Sequence, residues 1–161
     1  MVIKSIVDED FVNYKEPVMY IGTSKCGGKC CIEAGIPISV CINDDWRAIP
    51  PIDVDDDEII HRYLENKISK AICFAGLEPF EQFDEMLAFI DKFREEYGCE
   101  DTIVIYTGYY ESEIKSQIKI LKAYPNIIVK FGRYKPDAQS RYDDVLGVIL
   151  ASDNQYAKKI S

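Results

Sequence analysis

Four of the six cysteines lie within sixteen residues, at Cys26, Cys30, Cys31 and Cys41, in the segment SKCGGKCCIEAGIPISVC. Soft thiolates gathered on a glycine-rich loop are suited to zinc or to an iron–sulfur cluster. Three residues separate Cys26 from Cys30, and nine separate Cys31 from Cys41. The two-residue spacing usual in paired zinc ligands is absent. A four-iron cluster that keeps one iron open to a small molecule needs three thiolates, whereas a zinc site can take all four. The spacing leaves both metals open, and all four cysteines are candidate ligands. Cys73, inside an apolar run, reads as a core residue. Cys99 reads as structural, and His61 as a packed or surface histidine.

The chain around this loop excludes several functions. Its net charge is −9, from 19 basic and 28 acidic side chains. Such a field opposes nonspecific binding to nucleic acid or to anionic lipid. No segment approaches the ~20 apolar residues that span a bilayer. The N-terminal MVIKSIVDEDF places acids where a secretion signal needs an apolar stretch. A cytoplasmic protein is expected, and there clustered thiols serve as ligands or redox groups rather than as disulfides.

The elements that must position the loop follow an α/β rhythm. Apolar runs at 18–22, 71–75, 102–106, 127–131 and 145–150 predict five parallel strands, and a short strand is expected at 2–7. Acid-headed or amphipathic patterns predict helices over 55–66, 81–97 and 111–123. Helical intervals of this length suit parallel crossovers. The cysteine-rich segment, 23–45, has no clear period and reads as a loop at the end of the first of these five strands. The run Asp55-Asp56-Asp57-Glu58 suits a helix N-terminus. The tail SDNQYAKKIS reads as polar. One domain over 1–161 is expected.

Several short segments, taken together and in order, resemble the activating enzymes of anaerobic ribonucleotide reductase, in the radical S-adenosylmethionine superfamily. They are Tyr20-Ile21-Gly22 leading to Cys26-Gly27-Gly28-Lys29-Cys30, then Gly76-Leu77-Glu78-Pro79, Tyr106-Thr107-Gly108-Tyr109, Phe131-Gly132-Arg133-Tyr134 and Ser152-Asp153-Asn154-Gln155. The resemblance implies about five parallel strands curved into an incomplete (β/α) barrel. It implies a 4Fe-4S cluster on three cysteines and S-adenosylmethionine as cofactor. It also implies a glycyl-radical enzyme, of the anaerobic ribonucleotide reductase kind, as partner, and an external electron donor.

The family spacing is cysteine, three residues, cysteine, two residues, cysteine. Cys26 and Cys30 match its first two positions, but the third falls on Glu33. The resemblance then leaves Cys41, with Cys30 or Cys31, to complete the set. It makes Gly76, Glu78 and Pro79 the receiver of the cofactor's amino end, with Leu77 one residue more than the family pattern. Thr107, Gly108 and Tyr109 would line the cofactor cleft, and Asn154 and Gln155 would bind adenine or ribose. Lys130 and Arg133 read equally as surface charge or as partners of a carboxylate. Two other classes remain open on the residues alone: a zinc-stabilised interaction protein, and an iron–sulfur electron carrier without cofactor cleavage.

Overall fold

The computed structural model describes residues 1–41 and 43–161. Its centre is a seven-stranded sheet in the order β3-β1-β2-β4-β5-β6-β9. The strands are β1 (Val2–Asp10), β2 (Val18–Thr23), β3 (Ile52–Asp53), β4 (Ala71–Gly76), β5 (Thr102–Tyr106), β6 (Ile127–Phe131) and β9 (Tyr156–Lys159). The inner strands β2, β4, β5 and β6 are parallel, while β1, β3 and β9 pair antiparallel with their neighbours. Among the described residues β3 and β9 do not pair with each other, so the sheet is not a closed barrel.

Every residue of β2, β4 and β6 is buried. The reason is that both faces are covered, as continuous apolar runs require. Alternate residues serve each face. Ile21, Ile72, Phe74, Ile105 and Val129 pack with residues from α3 (Asp56–Glu65), α4 (Phe83–Glu95) and α5 (Lys115–Leu121). The other face, with Tyr20, Cys73, Ala75 and Val104, is covered by Tyr14, Leu146 and Leu150.

This second covering corrects the expected fifth parallel strand. Residues 145–150 are apolar because Leu146 and Leu150 cap a sheet face, not because the segment enters the sheet. Within it, β8 (Val148–Leu150) pairs with β7 (Arg141–Asp143) as an antiparallel hairpin, separate from the large sheet among the described residues. The place beside β6 belongs to β9, drawn from the tail that reads as polar in the sequence.

Helices form at all three expected places, but α5 covers only Lys115–Leu121 of the expected 111–123, after a 3₁₀ turn at Glu111–Glu113. Asp55 caps α3, its carboxylate accepting the Asp57 N–H at 2.8 Å. Ile59, Ile60 and Tyr63 are buried there. The segment 23–45, expected to be a loop, contains α1 (Lys29–Ala34), and α2 (Asp44–Ala48) begins at its end. Among the described residues no helix is long and apolar enough to cross a membrane.

Candidate metal centre

The carboxyl ends of the four parallel strands open on one side, where α/β sheets usually receive ligands. A cavity of about 450 Å³ lies there. It is lined by all four clustered cysteines together with Gly76, Leu77, Glu78, Thr107, Gly108 and Gln155. Volumes of this order suit small ligands.

Local backbone geometry brings the cysteines to the cavity. Gly28 has φ +74° and starts α1 from the left-handed region. A Cβ there would meet Ile38 Cδ1 at 2.8 Å. Cys30 and Cys31 sit on α1, Cys31 buried and Cys30 partly exposed. The helix stops at Gly35, also left-handed, and the chain returns through a single 3₁₀ turn to Cys41. There Cys31 and Cys41 both line the cavity.

Cys26 has polar neighbours of its own. Its sulfur accepts the Gly28 N–H and an Arg47 N–H, both at 3.3 Å. Burial pushes the Cys26 thiol pKa up, while Gly28 and Arg47 pull it down. Burial likewise raises Cys30, against the Tyr134 N–H and the Arg133 charge. Space for Cys30 is made by Gly108, where a Cβ would lie 2.7 Å from Cys30 Sγ. Among the described residues no three His, Cys, Asp or Glu side chains converge as ligands of a single metal ion.

Glu78 lines the same cavity and is almost fully buried. Its carboxylate accepts Thr107 Oγ1 at 2.7 Å, Gly108 N at 2.8 Å and Phe80 N at 3.1 Å. Burial pushes its pKa up to about 7 against those hydrogen bonds. Lys130 lies buried on the same cavity and donates to Gly132 O at 3.1 Å. Burial pushes its pKa down to about 8, opposed by Glu78 and Cys30. Gly76 has φ +87°, and a Cβ there would come within 3.2 Å of Gly22 Cα. Its carbonyl accepts Asn43 Nδ2 at 2.5 Å.

The remaining candidates are placed differently. Pro79 is buried as the first residue of a 3₁₀ turn and is not part of the cavity lining. Tyr109 lines a small crevice with Cys26, Cys30 and Glu81 instead of the main cavity. Asn154 also lies outside the lining, donating to Arg133 O at 2.9 Å. Gln155 reaches the cavity, but its amide already bridges Ser152 N and Gly132 O. Both amides brace the turn after β6.

Lys130 and Arg133 are both buried, which removes the surface-charge reading. Arg133 donates to Glu33, to Glu113 and to Gly108 O. Its guanidinium also stacks 4.8 Å from the Tyr110 ring centre. Sequence reasoning missed Asn43, Trp46 and Arg47, all of which line the cavity. Their helix has only five residues, too short for a periodic signal.

Fold and site together define a thiol-lined ligand cavity at the end of a mostly parallel sheet. The family model for a 4Fe-4S single cluster domain matches residues 39–155, and the chain belongs to that family. It is an iron–sulfur protein by that membership. The match begins beyond Cys26, Cys30 and Cys31 and includes Cys41. No curated protein and no solved structure matches the chain. The donor set fits the family's cluster: four soft thiols on one cavity, N–H donors aimed at Cys26, and a glycine that clears room for Cys30.

Proposed function

We propose that this protein is a radical S-adenosylmethionine activating enzyme that generates a glycyl radical on a partner of the anaerobic ribonucleotide reductase kind. One observation carries the reading. The cysteines and four family-like residues, Gly76, Glu78, Thr107 and Gly108, come from distant parts of the chain and line one cavity. Cys26 and Cys41, with Cys30 or Cys31, would hold the cluster. When bound, that cluster supplies one electron to the sulfonium of S-adenosylmethionine, releasing methionine and a 5′-deoxyadenosyl radical.

The chain's own residues have defined tasks in this reading. Glu78, fixed by three hydrogen bonds, presents a carboxylate that accepts the cofactor's ammonium. Lys130 offers the opposite charge to its carboxylate from the same wall. An external donor provides the electron.

A second reading has its own observation. All four clustered thiols line the one cavity, which supplies the donors for a cluster with four protein ligands. That protein would carry electrons without cleaving S-adenosylmethionine.

Anaerobic reconstitution followed by spectroscopy of the reduced protein separates these readings. The activase should hold near-equal iron and sulfide, change its spectrum on S-adenosylmethionine addition, and release 5′-deoxyadenosine. A cluster indifferent to S-adenosylmethionine would identify an electron carrier. Stoichiometric zinc with no cluster would identify a zinc-stabilised interaction protein.

A further inference from the structure

We infer that Arg47 is a positioning residue for the cluster, holding Cys26 in place and raising the reduction potential of the cluster that Cys26 ligates. The inference rests on the iron–sulfur reading and not on cofactor cleavage.

Arg47 grips Cys26 at two points. One terminal nitrogen donates to the Cys26 carbonyl at 3.0 Å, and the other to its sulfur at 3.3 Å. A planar fork of this kind fixes both backbone and side chain of the ligand. The base of Arg47 is itself anchored: Lys4 Nζ donates to its carbonyl at 3.2 Å. The neighbouring Trp46 packs against Tyr20, with ring centres 5.7 Å apart.

The charge of Arg47 is also free to act. Lys25 pairs with Glu85 at 2.8 Å, Lys29 with Glu33 at 3.0 Å, and Arg133 with two carboxylates. The nearest acid to Arg47 is Asp44, 4.0 Å from Nε, and Nε makes no hydrogen bond among the described residues. Two cations line the cavity, and the other, Lys130, feels Glu78. Reducing a cluster adds a negative charge. A cation bonded to a ligand sulfur stabilises the reduced form more than the oxidised one.

The test is an anaerobic potentiometric titration of reconstituted wild type, Arg47→Gln and Arg47→Lys. Iron and sulfide analysis and far-UV circular dichroism accompany it. Arg47→Gln should shift the one-electron equilibrium about tenfold toward the oxidised cluster, ~59 mV lower in potential. Arg47→Lys, which keeps the charge but loses the fork, should fall between. A folded Arg47→Gln that holds no cluster, with iron recovered in Arg47→Lys, also supports the role. A potential in Arg47→Gln equal to or above wild type overturns it, as does cluster loss in both variants. Wild-type protein without iron and sulfide would overturn the cluster reading itself and the role of Arg47 with it, a failure distinct from the others.

Discussion

Glu33 and Arg133 stand a hundred residues apart and form a two-point ion pair, Nε to Oε2 at 2.5 Å and a terminal nitrogen to Oε1 at 2.8 Å. The position that the family pattern gives to a third thiolate is therefore occupied by a carboxylate with a structural partner. It fastens α1, and with it Cys30 and Cys31, to the chain leaving β6. Arg133→Ala should lower stability in denaturant unfolding, since it removes a buried guanidinium held by two carboxylates and leaves the Gly108 carbonyl without that donor. Glu33→Ala should cost less, because Glu113 still holds the guanidinium. Equal effects from the two variants would show that Arg133 is not the centre of the latch.

Glu113 sets the acid limit of that latch. Arg133 holds its pKa at about 2, below the usual 4.5. Its contribution is fully present above pH 4.5 and is lost as pH falls toward 2. The stability gap between wild type and Glu113→Gln should shrink across that window. A gap that stays constant from pH 5 to pH 2 would remove Glu113 as its source.

Glu78 has the opposite sign. Its pKa is raised from 4.5 to about 7, so the folded state holds the proton more tightly than the unfolded chain. Stability from this group should fall as pH rises from 4.5 to 7 and level off above. Glu78→Gln should flatten that slope. Unfolding curves between pH 5 and pH 8 provide the check, and a slope unchanged in the variant would count against it.

Cysteine replacement tests the ligand set directly. Cys26→Ala and Cys41→Ala should lose iron after anaerobic reconstitution. Cys73 is fully buried in the sheet, and Cys73→Ala should keep iron while losing about 1–2 kcal/mol of stability. Wild-type iron in both loop variants would defeat the assignment.

Much of this architecture was legible in the sequence. The strands β2, β4, β5 and β6 declared themselves as short continuous apolar runs because helices and loops bury both faces. The edge strand β9 did not, since Tyr156-Ala157-Lys158-Lys159 has no such run, and charged residues suit an edge. Residues 145–150 misled for the converse reason: apolar side chains can cover a sheet without joining it. At the site, cysteine spacing and the turns after each strand were readable. The burial of Lys130 and Arg133 was not, because charge alone does not tell whether a partner waits across the fold. Asn43 and Arg47 act through contacts over 33 and 21 residues, which no local pattern encodes.

The hydrogen bond from Asn43 to the Gly76 carbonyl ties the segment that follows Cys41 to the carboxyl end of β4. A carbonyl oxygen has two lone pairs, so the amide leaves one for a ligand N–H. In the proposed cofactor cleft, a ligand bound at Gly76 would share its acceptor with the strap that holds the cysteine segment. Asn43→Ala should loosen that segment and lower iron retention after anaerobic reconstitution, and unchanged iron in a folded variant would count against the coupling. The two halves of the cavity would then hang on a single oxygen.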